Sequence, residues 1–287
     1  MGEGGTTVVA VFDGHGGDEC SGYCERNLGR ALSPSSPSSP SSPPPPPPVT
    51  MATALTLAVL RLDREYVALS RSRKGWGQRG GCTANIVAVE APPPGGKGGR
   101  AGAVVTCANS GDSRAVYVST ATNSFTVLSS DHSPKTRPDE VLRIENLGGH
   151  LSTGPVGLLA RFVALVRNVE ICERVYRSDG VGGLNMTRAL GDDYLKPLVV
   201  PDPEVKRFEG LGGREGGGYL VVASDGLWDV TSEGDVVEAL REVERSSGGE
   251  GGRGRDEDVV RRASLVLVKG ALEKGSTDNV TVCVVSL

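Results

Sequence analysis

At 287 residues, with 41 Gly and 18 Pro diluting a hydrophobic fraction of 38%, the chain is long enough to bury a sizeable core. A formal net charge of −4 offers no basic field for nucleic acid and no polybasic anchor for an acidic membrane, so neither is expected as a partner. No apolar run approaches the ~20 residues of a membrane span, and Met1-Gly2-Glu3-Gly4-Gly5 has neither the basic nor the apolar part of a signal peptide.

The first element in chain order is the β-branched run Val8 to Val11, which reads as a buried strand. It stops abruptly at Phe12-Asp13-Gly14-His15-Gly16-Gly17. Asp13 offers a hard carboxylate, Gly14 has no side chain to keep a cation from its carbonyl, and His15 can move a proton near neutral pH. Asp18 can cap a helix running to about Leu32. Ser33 to Pro48 is a low-complexity tract ending in six prolines, expected to be extended and solvated. Helical spacing resumes through Leu55, Val59, Leu62, Tyr66 and Leu69, so the tract reads as a loop within one domain.

Gly80-Gly81 opens a strand, Thr83 to Glu90. After a Gly/Pro tract come the strand Ala103 to Ala108, a tight Asn109–Asp112 turn and the strand Arg114 to Ser119, an antiparallel meander. Glu140 to Leu147 is a short helix, and the apolar-plus-Arg stretch Pro155 to Arg174 fits no clear element. Tyr219 to Ala223 is a buried strand and Asp235 to Glu244 a helix. Asp256 to Lys274 is an amphipathic helix along Val260, Ala263, Leu267 and Ala271, and Val280 to Val285 is a final strand. Strand-rich runs interleaved with one-faced helices predict a sheet core covered by helices. The chain reads as a single domain, 1–287, with low-complexity insertions at 33–48, 92–100 and 246–254.

Six cysteines, at 20, 24, 82, 107, 172 and 283, form no C-x-x-C pair and read as reduced core thiols of a soluble cytoplasmic or nuclear protein. Cys20 and Cys24 stand four apart on a helix, but with no His or Cys partner nearby in sequence zinc is not expected there. Cys20 and Arg26 have the C-x5-R spacing of cysteine phosphatases. Glu19 in place of His and the helix expected there make that a coincidence of spacing.

Three further acidic turns adjoin strands: Ser224-Asp225-Gly226-Leu227-Trp228-Asp229, Ser110-Gly111-Asp112-Ser113, and Thr277-Asp278-Asn279. Together with Asp13 they suggest carboxylates converging at one edge of a sheet. Hard oxygen ligands without Cys or His at zinc spacing favour Mg²⁺ or Mn²⁺, and such carboxylates repel one another unless cations neutralise them.

With these motifs in hand, the chain resembles the metal-dependent serine/threonine protein phosphatases of type 2C, the PPM family. Further matching stretches are Gly81-Cys82-Thr83-Ala84, Ala108 to Val116, Ser130-Asp131-His132, Leu184 to Asp192, Val200 to Glu204 and Asp278 to Val282, in family order over nearly the whole chain. The resemblance implies an α+β fold, a four-layer α-β-β-α sandwich of two antiparallel sheets flanked by helices. It implies two Mg²⁺ or Mn²⁺ ions, with Asp13 bridging, Gly14 contributing its carbonyl, and Asp225 and Asp278 holding the first metal. Asp112 and Asp229 match positions of a third metal, and His15 matches the general acid. Phosphorylated proteins would be the substrates of a monomeric enzyme, hydrolysed by a metal-activated water.

The chain departs from the family before Asp13, where an Arg that grips phosphate and a Glu-Asp pair are expected. Only twelve residues precede Asp13, with Glu3 the sole acid and no Arg. N-terminal strands of the sandwich are therefore expected to be missing, leaving unpaired sheet edge. The alternative function is a catalytically impaired pseudophosphatase that binds phosphoproteins or a kinase. Asp131 and Asp192 are read as turn-fixing, Arg114 and Arg188 as partners of acids, His132 and His150 as structural, and Trp228 as core.

Overall fold

A computed structural model of the chain describes residues 5–33, 49–72, 80–91, 102–153, 173–213, 217–247 and 253–287. Residues 34–48, 92–101 and 248–252 of the low-complexity tracts, the stretch 154–172, and Cys172 with it lie outside the described residues.

Two four-stranded antiparallel sheets form the centre. The first runs β1 (Thr6–Val11), β4 (Ala84–Glu90), β5 (Ala103–Ser110), β12 (Glu204–Leu211). The second runs β14 (Val282–Ser286), β13 (Tyr219–Ala223), β6 (Arg114–Ser119), β7 (Ser124–Val127). Side chains on a strand alternate between faces, and here both faces are covered. In β4, Val87 and Val89 enter the cluster between the sheets, while Ala84, Ile86 and Ala88 face outward into a second cluster. In β13, Leu220 and Val222 point inward, and Tyr219, Val221 and Ala223 point outward.

The outward clusters are closed by helices. α1 (Glu19–Leu32) and α2 (Met51–Ser72) cover the first sheet, with Leu55, Val59, Leu62 and Tyr66 buried along one stripe. Further along, α3 (Pro138–Asn146) and the short α4 (Asp225–Trp228) precede α5 (Glu233–Ser246) and α6 (Arg253–Glu273). α5 and α6 cover the second sheet. α5 begins in a capping box: the Ser232 hydroxyl accepts from the Asp235 N–H while the Asp235 side chain accepts from the Ser232 N–H. In α6 the buried stripe is Val259, Ala263, Leu267 and Ala271, with Val260 only partly covered. The result is the α-β-β-α sandwich expected from the sequence.

Two differences from the sequence reading concern strands. β1 is not buried along its length: Val8 is 36% exposed and only Val11, at 2%, is enclosed, because β1 is an edge strand with β4 as its one neighbour. Strands β7, β12 and the three-stranded sheet of β8 (His150–Ser152), β9 (Arg174–Tyr176) and β10 (Gly182–Leu184) also went unanticipated. The small sheet packs with α3 around Ile144, Val175, Leu184, Leu195 and Leu198. A last small sheet, of order β11 (Leu190–Gly191), β3 (Gly81–Cys82), β2 (Gly14–His15), lies where the first strand turns into α1. No helix among the described residues is long and apolar enough to cross a membrane.

Candidate active site

The site is assembled where strands end. At the end of β1 the Asp13 backbone is held on both sides by Thr83: the Asp13 N–H donates to Thr83 Oγ1 at 3.0 Å, and the Thr83 N–H donates to the Asp13 carbonyl at 2.8 Å. Thr83 Oγ1 is in turn 2.8 Å from Ser113 Oγ, beside Asp112. That turn is possible because Gly111 adopts φ 114° and a Cβ there would stand 2.7 Å from Thr83. His132, fully buried, braces the same turn through Gly111, whose N–H donates to Nδ1 at 3.3 Å and whose carbonyl accepts from the His132 N–H at 3.0 Å.

Asp225 opens α4 directly after β13. Ser224 ties that junction to the loop before β14, its hydroxyl donating to the Asn279 carbonyl and accepting from the Thr281 N–H, each at 3.1 Å. Gly226 allows the close approach, since a Cβ would lie 2.3 Å from the Asn279 carbonyl oxygen. The loop carrying Asp278 is thereby pinned against the helix carrying Asp225. Asp229 ends α4, its N–H donating to the Asp225 carbonyl at 2.8 Å.

These carboxylates share one electrostatic problem. The Asp13 and Asp225 side chains are close enough to shift each other's titration. Burial, then the charges of Asp112, Asp13, Asp229 and Asp278, push Asp225 up to about 8. Burial, followed by Asp131, Asp13 and Asp229, pushes Asp112 up to about 7. Asp13 is raised by burial and by Asp278, against the neighbouring Asp225 side chain and the charge of His15. One oxygen of Asp112 and one of Asp225 are enclosed with no hydrogen-bond donor among the described residues. Enclosed carboxylate oxygens without donors, drawn from two separate turns, fit a hard divalent cation. Asp112 is buried and Asp13 and Asp225 are half-buried, while Asp229 and Asp278 are exposed and act on Asp225 through their charges. No three carboxylate oxygens among the described residues lie within 4.8 Å of one another.

His15 shows a second arrangement. Its Nε2 is 2.6 Å from Asp192 Oδ2, a partner 177 residues away and fully buried. Asp192 follows β11 in the left-handed region, φ 44°, and β3 lies between β11 and β2. Gly81 on β3 leaves room for the pair: a Cβ there would stand 2.1 Å from Asp192 Oδ2 and 2.6 Å from His15 Nε2. Burial pulls the His15 imidazole down, but the hydrogen bond and charge of Asp192, with Asp112 and Asp13, outweigh it and raise its pKa. Nδ1 is enclosed with no hydrogen-bond partner among the described residues, while Nε2 is engaged by Asp192.

Asp192 is therefore a correction: the sequence reads it as a turn residue, and the structure makes it the anion that holds His15. Its signal was faint, a non-glycine residue forced to positive φ just after a glycine. Arg114 pairs with Asp131 and Glu233 and lies over the Trp228 ring, and Arg188 pairs with Glu140. Trp228 is 7% exposed and donates from Nε1 to the Ala223 and Arg114 carbonyls. His150 is exposed and stacks on Tyr176. Cys20 is 1% exposed inside α1, which leaves no nucleophile for cysteine-phosphatase chemistry. A groove of about 430 Å³, lined in part by Phe12, Ser21, Arg26 and Thr281, opens beside Asp13 next to the outer edges of β1 and β14.

Comparison with known proteins follows the same lines. Residues 2–280 match the family described as Protein phosphatase 2C. The chain is 31% identical over 295 residues to Protein phosphatase 2C 77 of Arabidopsis thaliana, covering 96% of this chain and 59% of that protein. It is 38% identical over 191 residues to Protein phosphatase 2C 37 of the same plant, covering 64% and 39%. The chain thus spans about 59% or less of the length of these two relatives. Among solved structures, that of a C. elegans sex determining protein aligns with a TM-score of 0.68 at 28% identity, over 97% of this chain and 56% of that one. A serine-threonine phosphatase 2C from Toxoplasma gondii shares the fold, with a TM-score of 0.67 at 21% identity over 98% and 84% of the two chains. With residues 2–280 matching its family model, the chain belongs to the protein phosphatase 2C family.

Proposed function

We propose that this chain hydrolyses phosphoserine and phosphothreonine esters of proteins with two Mg²⁺ or Mn²⁺ ions. The observation that carries this reading is the enclosed, donor-less carboxylate oxygens of Asp112 and Asp225 near Asp13, beside a His15 whose pKa is raised by its contact with Asp192. In this reading Asp13, the Gly14 carbonyl, Asp225 and Asp278 would hold the two ions. Asp112 and Asp229 would hold a third ion. When bound, the ions supply Lewis-acid activation of water and offset charge on the phosphoryl oxygens. His15 delivers a proton to the departing seryl or threonyl oxygen, while Asp192 stabilises the imidazolium and fixes its orientation.

Phosphate release from a phosphothreonine peptide tests the proposal. Turnover should require Mg²⁺ or Mn²⁺, vanish on chelation and return on re-addition. Activity that survives complete metal removal would overturn it. No turnover at saturating Mn²⁺, with phosphopeptide binding intact, would favour the binding-module alternative.

A further inference from the structure

The cysteines that look scattered in sequence are not scattered in space. Cys20 and Cys24, one turn apart on α1, meet Cys82 of β3, with Cys82 Sγ 3.4 Å from Cys20 Sγ and 3.8 Å from Cys24 Sγ. All three sulfurs lie within 4.8 Å of one another, the one group among the described residues that draws three candidate ligand atoms so close. The expectation that Cys20 and Cys24 lack a partner is therefore corrected, since the third thiol arrives from 58 residues beyond Cys24. Cys20 is 1% exposed and Cys24 and Cys82 are at 0%, walled by Leu55, Leu62, Tyr66 and Leu190.

We propose that Cys20, Cys24 and Cys82 form a three-thiolate site for a soft d10 cation, Cu(I) or Zn(II). Sulfurs bound at about 2.3 Å to one ion stand roughly 3.7–4.0 Å apart. Of the two separations from Cys82, one lies within that spacing and the other just below it, so loading needs little rearrangement. Thiolate-only, apolar surroundings select soft ions over Mg²⁺ or Mn²⁺. The nearest further oxygen is the Leu190 carbonyl, 3.7 Å from Cys20 Sγ. Three sulfurs without a close fourth donor suit the trigonal coordination of Cu(I), whereas Zn(II) would have to draw that carbonyl in. Each thiol that binds releases its proton to solvent, with no change in sulfur oxidation state. Cys20 lies in the first turn of α1, whose N-terminal dipole favours the negative charge this leaves. Cys82 stands between Gly81, which makes room for the His15–Asp192 pair, and Thr83, which holds Asp13, so the soft-ion site abuts the hard-ion site without sharing a ligand.

The test is metal titration of the full chain under anaerobic, reducing conditions with saturating Mg²⁺ present to occupy carboxylate sites. Cu(I), delivered as its acetonitrile complex against a chromophoric competitor, and Zn(II) form separate arms, read by bound metal and X-ray absorption. One equivalent with a three-sulfur shell is expected. A shell of three sulfurs alone identifies Cu(I) as the fitting ion, and three sulfurs plus one oxygen identifies Zn(II). C24S and C82S should each weaken binding at least tenfold, while C107S and C283S leave it unchanged. Equal affinity in the C20S/C24S/C82S protein, a shell without sulfur, or conversion to a Cys20–Cys82 disulfide with no metal retained would overturn the proposal. None of these readouts depends on phosphatase turnover.

Discussion

Glu140, buried, and Asp225, half-buried with one oxygen enclosed, are acids that meet opposite fates. Glu140 is 2% exposed, yet Arg188 and Arg143 hold it, with N–O distances of 2.6 Å and 2.9 Å. Burial would raise its pKa, but the two guanidinium groups win and hold it down to about 2. Asp225 has no such partner. Its neighbours are Asp13, Asp112, Asp229 and Asp278, all of its own sign, and it is pushed up to about 8. A fold that carries its own counterions in one place and omits them in another leaves the second place to a cation from solution. That contrast separates an acid that serves the structure from acids that serve a site.

The sharpest way to break the contrast is to neutralise one member of each region. D225N should lower metal-dependent phosphate release by ~10²–10³-fold, because it removes a central ligand and its charge. It should leave metal-free stability unchanged or higher, since the fold no longer has to hold a proton on an acid that is ionised when the chain unfolds. E140Q should do the reverse. Two guanidinium groups lose their buried partner at a cost of about 3 kcal/mol, a fall in Tm of about 6–12 °C, with metal affinity little changed. Thermal melts and turnover assays on the two proteins check this. A D225N protein that melts well below the parent without metal would show that Asp225 is held by a partner after all.

The two regions also predict opposite slopes of stability with pH. Asp225 and Asp112, at about 8 and about 7, lie above the ordinary 3.8 of an aspartate. Between about pH 4 and 8 the folded, metal-free chain keeps protons that the unfolded chain has released, so stability falls as pH rises. Glu140, at about 2 against an ordinary 4.5, contributes stability that is present above 4.5 and lost as pH falls toward 2. The metal-free protein should therefore be most stable near pH 4–5. Saturating Mg²⁺ should move that maximum toward neutrality by favouring the ionised aspartates. Melting temperatures from roughly pH 3 to 8, with chelator and with Mg²⁺, decide it; coincident curves would remove the carboxylates as the origin of the slope.

How much of this was legible in the sequence depended on whether a feature is local. An apolar run stopped by Asp-Gly is visible by eye, so Asp13 and Asp225 stood out, and the both-faces-buried alternation of β4 and β13 produced uninterrupted apolar segments. β12 was missed because Lys206, Arg207 and Glu209 decorate an edge strand, whose polar pattern resembles a loop. Asp192 was misread because Gly191 and Asp193 beside it are turn-formers, while its role depends on the β11-β3-β2 pairing that brings it to His15. The thiol cluster failed for the same reason: spacing showed Cys20 and Cys24, and only the packing of α1 on β3 supplied Cys82.

The smallest effect expected is also the most specific. His132 is fully buried where His15 is partly exposed, and it lacks a carboxylate as close as Asp192. Burial first, then Arg188 and Arg137, push it down to about 4 despite Glu140 and Glu204. D192N should make His15 resemble it, because burial is already the largest influence on His15 and only the Asp192 anion and its neighbours overcome it. His15 would then lose its proton at a lower pH. The alkaline limb of the kcat profile should move down, with kcat reduced roughly tenfold at pH 8, less at pH 6, and KM nearly constant. A uniform loss at every pH, with the limb in place, would mean that Asp192 only fills space behind β3.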